Sequence, residues 1–316
     1  MIIPGDFKNF ATRPSLKLSW MVLFLNVTIY IFIALQYEVW PTQDIREKLN
    51  DERFHQAVYE MYLQTLDPIE LNAGFEKANV ELIYSKALKD EKFWNRIGAF
   101  PFKGDQVQIS EVKNIITEFY TSYRQSAQFQ FGLGAFEITP WSWLTYQFVH
   151  ASLLHLFGNL VVIFLVLSFL EQTISPLWLA AVYLFSGFIG GIFFLIVDNV
   201  GSMSVVGASA SASGLLSFLI VTQNSRVMPW FYFIAPIKNG IGKVYLPVFF
   251  AFPIFLVSDF VSLLWEPNGI SANVAVSAHV GGALAGMVFG FYYLFLRSKT
   301  ATHCIFSYND RLHELP

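Results

Sequence analysis

Runs of apolar residues alternate along the chain with short polar breaks and one long mixed segment. About 20 consecutive apolar residues cross the hydrocarbon core of a bilayer, and six stretches qualify: 18–37, 148–169, 177–197, 207–223, 244–264 and 276–296. Each reads as a transmembrane helix. The first follows a tail carrying Lys8, Arg13 and Lys17, but it is long and lacks a small-residue cleavage site, so a retained helix is expected rather than a cleaved signal.

The mixed segment between the first two helices is too long to be a simple connection. Within it, Glu52–Leu66, Asn79–Ala87 and Ser110–Arg124 interleave apolar and charged positions at helical spacing, and Asp67-Pro68 reads as a helix start. Met228–Ile237, aromatic-rich between Pro229 and Pro236, reads as a stretch lying at the membrane interface.

Charge placement sets the expected orientation. The N-terminal tail, the 224–243 segment (Arg226, Lys238, Lys243) and the C-terminal tail (Arg297, Lys299, Arg311) hold every Lys and Arg outside the long segment, whereas the opposite short loops hold only Asp198 and Glu266. Basic loops stay inside, so both termini are expected in the cytoplasm. The long segment carries 11 basic and 16 acidic residues, but long translocated segments escape the charge rule. The expected organisation is a cytoplasmic tail at 1–17, helix one at 18–37, an extracytoplasmic, mostly helical module at 38–140, a membrane core of helices two to six at 141–297, and a cytoplasmic tail at 298–316.

Composition agrees with this pattern: 54% of the 316 residues are hydrophobic, 17% aromatic and 14% charged, with mean hydropathy +0.48. The fold class is therefore an all-α polytopic membrane protein whose first partner is the lipid bilayer. A net charge of −3 gives no reason to expect a nucleic-acid partner. Cys304 is the single cysteine, so no intrachain disulfide and no cysteine-built metal site can form. The tail before helix one has no recognisable organelle presequence, which favours a bacterial inner membrane.

Several polar residues interrupt the apolar runs. Such residues face protein or a wet cavity and mark function. With both termini inside, helices two, four and six start from the outer face. His150, His155 and Asn159 then lie in the outer half of helix two, Ser209 in the first turn of helix four, and His279 in the first turn of helix six. His279 shares a face with Gly282, Gly286 and Gly290, a ladder that lets helix backbones approach. Ser209, Ser213 and Ser217 form a matching stripe of small residues, and packing of the two faces would make Ser209 and His279 neighbours.

A serine hydroxyl needs a base to become a nucleophile, and histidine suits that task at neutral pH. Asn159 and His155, one helical turn apart, can supply donors to an oxyanion, and the start of helix four offers unpaired backbone N–H groups. No acidic residue nearby in sequence orients His279, which points to a dyad.

At these residues the chain resembles the rhomboid family of intramembrane serine proteases. The resemblance rests on His150-x4-His155-x3-Asn159, Gly207-x-Ser209-x4-Gly214 and Ala278-His279-x-Gly281-Gly282-x3-Gly286-x3-Gly290, in that order and on helices two, four and six. It implies a six-helix bundle that cleaves transmembrane protein substrates without a cofactor. Ser209 would be the nucleophile and His279 the base, with His155, Asn159 and the Ser209 N–H around the oxyanion. Helix five, with Phe249, Phe250, Phe255 and Trp265, would correspond to the lateral gate, and Glu171 matches a common acidic position. Ala210 stands where the family has glycine, and Trp141-Ser142 where it has Trp-Arg.

Other readings compete. Ser213, followed by Gly214, is the alternative nucleophile but sits one turn deeper. His150 reads as structural, bonding loop backbone. His150, His155 and His279 offer three imidazoles to a zinc ion, but no His-Glu-x-x-His spacing exists. Asp259 is a charge inside helix five. A catalytically inactive adaptor that binds transmembrane segments would keep the fold without the chemistry, and a small polytopic transporter would draw on Asp259.

Overall fold

A computed structural model gives the fold and describes residues 2–4, 17–37, 51–67, 80–88, 90–134, 138–197, 204–223, 227–233, 241–247 and 275–312. In chain order these form β1 (Ile2–Pro4), α1 (Lys17–Gln36), α2 (Glu52–Thr65), α3 (Val80–Ala87), α4 (Glu91–Ile97), α5 (Gln106–Gln125), α6 (Ala127–Phe131) and α7 (Ser142–Thr145). There follow α8 (Leu153–Leu170), α9 (Pro176–Val197), α10 (Ser209–Gln223), β2 (Val227–Phe233), β3 (Ile241–Pro247) and α11 (Ala275–Leu312).

Among the described residues, four helices are long and apolar enough to cross a membrane: Leu18–Gln36, Leu153–Leu170, Pro176–Ile196 and Val276–Lys299, with mean hydropathies of 2.2, 2.5, 2.3 and 1.5. Their outward faces carry Phe24, Phe32, Leu154, Phe157, Leu177, Phe185, Val288 and Phe291, all exposed large hydrophobics that suit lipid. The chain is an integral membrane protein. At its centre lies α10, with Ala210 through Leu219 buried on every side. A helix buried all round is apolar or small all round, and Ser-Ala-Ser-Ala-Ser-Gly-Leu-Leu meets that requirement.

The glycine-mediated packing fixes the helix directions. A Cβ added to Gly286 would lie 2.6 Å from the Gly214 carbonyl carbon, one on Gly290 would lie 2.8 Å from the Val221 Cβ, and one on Gly282 would run into the Ala210 carbonyl. Contacts therefore advance together along α10 and α11, and the two helices run parallel. Against α9 the order reverses: Gly190 faces Ala210, while Ser186 abuts Gly214, so α9 is antiparallel to both.

Helix α1 joins the bundle through a cap. The Glu171 carboxylate, just past the end of α8, accepts from the Leu18 N–H (2.7 Å), the Ser19 N–H (3.3 Å) and the Ser19 hydroxyl (2.5 Å). It thereby satisfies first-turn donors at the positive end of the α1 dipole. At the same end Gln223 Nε2 donates to Thr173 Oγ1 at 3.2 Å.

Helices α2 to α6 surround a separate apolar core that includes Val58, Tyr62, Phe93, Trp94, Ile116, Phe119 and Tyr123. Its longest member, α5, buries Ile109, Val112, Ile116, Phe119 and Tyr123, a 3–4 spacing that turns one stripe inward. Asp51, Asp90, Asp105 and Ser126 cap its helices with side-chain oxygens.

Several expectations change. Helix four begins at Ser209 rather than at 207, because Gly207 holds φ +127°, outside any helix. Helix two begins at Leu153, where the Ser152 hydroxyl caps it by accepting from the His155 N–H. Most of the expected interfacial stretch is strand: β2 pairs antiparallel with β1 and β3 in the order β1-β2-β3. Of the fifth expected helix, Val244–Pro247 belong to β3 and the remainder, with Asp259, Phe249, Phe250, Phe255 and Trp265, lies outside the described residues. The expected six-span count therefore rests on five described helices, one of them, α10, only 15 residues long. The helix expected at 276–296 continues to Leu312, into the segment expected as a tail.

Candidate active site

The site is assembled around the turn that leads into α10. The Gly207 N–H donates to the Tyr146 carbonyl at 2.8 Å, and the Ala208 N–H to His150 Nε2 at 3.4 Å. His150 Nδ1 lies 3.2 Å from the Phe148 carbonyl, so this histidine ties together two stretches of backbone, in keeping with a structural role. Its ring meets that of His155 edge-on at 5.2 Å between centroids.

His155 and Asn159 line the same turn. A Cβ added to Gly207 would sit 2.7 Å from His155 Cε1, 2.8 Å from its Nε2 and 3.7 Å from Asn159 Nδ2. Only glycine leaves room for the imidazole there, and its left-handed φ is the second reason for that residue. Asn159 Nδ2 also donates to the His155 carbonyl at 3.1 Å, which fixes the amide one turn along α8.

Helix α10 starts at this point. The Ala212 N–H bonds the Ala208 carbonyl at 2.9 Å, the first intrahelical bond. Ser209, Ala210 and Ser211 thus carry first-turn N–H groups with no partner inside the helix. The Ser211 hydroxyl turns away to Gln147 Oε1 at 3.0 Å. Ser213 is buried, at 6% exposed, whereas Ser209 is only half-buried, a difference that favours Ser209 as the accessible hydroxyl.

Around Gly190 the three helices meet. A Cβ placed on it would lie 2.6 Å from the Ala210 Cβ and 2.7 Å from the Ala278 carbonyl oxygen. The direct neighbours of Ser209 and of His279 are thus drawn to one point, and both belong to a small cluster with Leu133, Tyr146, Phe194 and Val205. His279 is half-buried on α11.

One detail departs from the expected serine stripe. The closest backbone approach to the glycine ladder is made by Ala210 and Gly214, with Val221 further on, and Ser209 stands beside that seam. At Gly282 and Gly286 the atoms opposite are backbone, an approach that only small residues permit, so this part of the seam selects the smallest residues of α10. Tyr146, whose carbonyl anchors Gly207 and whose hydroxyl bonds the Gly187 carbonyl, was not identifiable from the sequence. Its only signal is an aromatic with a polar tip four residues before a histidine.

A bundle whose short central helix starts at a glycine turn lined by two histidines and an asparagine defines a class of membrane protein. Residues 138–295 match the family model described as Rhomboid domain, and the chain belongs to the rhomboid family. No curated protein and no solved structure matches the chain.

Proposed function

We propose that the protein is an intramembrane serine endopeptidase that hydrolyses peptide bonds in or near transmembrane segments of other membrane proteins. The observation that carries this reading is the meeting of Ala210 and Ala278 at Gly190, next to a turn lined by His155 and Asn159. Along the parallel pair α10 and α11, Ser209 precedes Ala210 by one residue and His279 precedes Gly282 by three. At 1.5 Å per residue their levels differ by about 3 Å.

In this reading His279 takes the proton of Ser209 as the hydroxyl oxygen bonds the scissile carbonyl carbon. The negative charge moves to the carbonyl oxygen, where Asn159, His155 and the first-turn N–H groups of α10 are donors. Collapse breaks the C–N bond, the leaving amine takes the proton from His279, and an ester on Ser209 remains. Water, deprotonated by His279, then releases the acid and restores the serine.

Water must reach this point in the membrane plane. Helix α10, with 15 residues, is about 22 Å long, short of the ~30 Å hydrocarbon core. The non-helical 204–208 segment leads into its first turn, and His150, His155 and Asn159 beside it are polar groups suited to hold that water.

Labelling with a fluorophosphonate probe, together with cleavage of a transmembrane substrate in detergent, tests the proposal. Wild type and Ser213→Ala are expected to label and cleave. Ser209→Ala and His279→Ala are expected to lose both by at least about 10³-fold while remaining folded. Undiminished cleavage by purified Ser209→Ala protein would reject the assignment.

A further inference from the structure

The module of α2 to α6 is bonded to the segment that delivers Ser209. The Tyr123 hydroxyl, at the end of α5, accepts from the Ser204 N–H at 2.7 Å and donates to Ser204 Oγ at 3.0 Å. Gln128 Nε2 donates to the Ser204 carbonyl at 2.7 Å. Next along the chain, Val205 and Leu133 exchange both backbone bonds, at 2.8 and 3.0 Å, as an isolated antiparallel bridge. A Cβ added to Gly132 would lie 2.7 Å from the Ser204 Cβ and 3.0 Å from Val206 Cγ1, so the module backbone also presses on this segment. Ser204, Val205 and Val206 are all buried.

Two further anchors continue the series toward the nucleophile: Gly207 on the Tyr146 carbonyl and Ala208 on His150. The five residues before Ser209 are therefore held from two sides, by the module at 204–206 and by the core at 207–208. Burial pushes the Tyr123 phenol up to about 12, so its hydroxyl keeps the proton it donates to Ser204.

We infer that Tyr123 and Gln128 are positioning residues for the reaction: the module clamps Ser204 and thereby sets where the first turn of α10 presents Ser209. This inference rests on the protease reading above. It assigns the module a task in turnover, since a displacement of about 1 Å in a reacting group can cost 100-fold in rate.

The test is the steady-state kinetics and probe-labelling rate of Tyr123→Phe, Gln128→Ala and Ser204→Ala in the full chain, measured well below the unfolding temperature. Tyr123→Phe keeps the ring that packs edge-on against Trp94 and Phe129 and removes only the hydroxyl. The expected result is a fall in kcat and labelling rate of at least about tenfold, with KM within about twofold. Tyr123→Phe and Ser204→Ala should combine less than additively, because they cut the same contact. A purely structural role would lower the melting temperature and leave the folded fraction turning over normally. If Tyr123→Phe fails to fold, Gln128→Ala carries the same measurement. Labelled wild type with Tyr123→Phe and Gln128→Ala both at wild-type kcat overturns the inference and leaves the protease reading standing. Unlabelled wild type overturns the protease reading itself, and the inference falls with it.

Discussion

Among the described glycines, Gly207 and Gly158 stand at opposite extremes of what an added methyl group would meet. At Gly207 the backbone holds φ +127° and the His155 ring occupies the space a Cβ would need. An added methyl there both strains the backbone and displaces the imidazole. At Gly158, in the middle of α8, nothing lies within 4 Å of the Cβ position. Gly207→Ala should therefore cost about 1–3 kcal/mol and abolish probe labelling. Gly158→Ala should keep full labelling and gain up to about 1 kcal/mol from the reduced freedom of the unfolded chain. Thermal unfolding in detergent alongside labelling checks both, and equal behaviour of the two variants would contradict the turn geometry.

Between elements, the bundle relies on polar locks at its ends and on backbone contact in its middle. The Glu171 cap on α1 is such a lock, because a carboxylate at a helix N-terminus gains from both hydrogen bonds and dipole. Glu171→Gln should lower stability by about 1–2 kcal/mol with little change in turnover of the folded protein, since the cap lies at the opposite end of α8 from His155. Thermal melts set beside kcat decide it, and a selective loss of kcat would link the cap to the site instead. The long apolar helices α1, α8, α9 and α11 were legible in the sequence because lipid imposes length and hydropathy together, and His279, His155 and Asn159 stood out as polar groups within them, as did Ser209 at the start of the short α10. The glycine ladder also signalled close packing, but the sequence suggested Ser209 and Ser213 opposite it where Ala210 and Gly214 stand, because a periodic stripe does not reveal which of two adjacent small residues the backbone contact selects. The grip of Tyr123 on Ser204 was illegible for a different reason: the contact joins residues 81 positions apart, and no local pattern encodes such a pairing. The β1-β2-β3 sheet was missed because its aromatic-rich β2 also reads as interfacial sequence.

At the scale of the whole molecule the two ends of the bundle differ. One end holds the Glu171 cap, the Gln223–Thr173 bond and the strands that precede α1 and follow α10. The other holds the Gly207 turn with the module bonded to its approach. In the sequence, the nine basic residues outside the 38–140 segment precede or open α1 (Lys8, Arg13, Lys17), follow α10 within 224–243 (Arg226, Lys238, Lys243) or lie from 297 onward (Arg297, Lys299, Arg311). Basic flanks are retained in the cytoplasm, so we propose that the module and the mouth of the site face outward. The single cysteine makes this testable without redesign, because Cys304 lies in the C-terminal segment. On intact cells a membrane-impermeant maleimide should leave Cys304 unlabelled, and permeabilisation should expose it to the reagent. A second protein carrying Cys304→Ser and Ser110→Cys, with the new thiol on the exposed face of α5, should label before permeabilisation. The reverse pattern would place the module inside, and the proposed protease would then have to take its substrates from the cytoplasmic side. The expected pattern instead puts the Ser209 recess within reach of outward-facing ends of substrate helices, where unwinding one turn exposes a scissile carbonyl to water at the lowest cost.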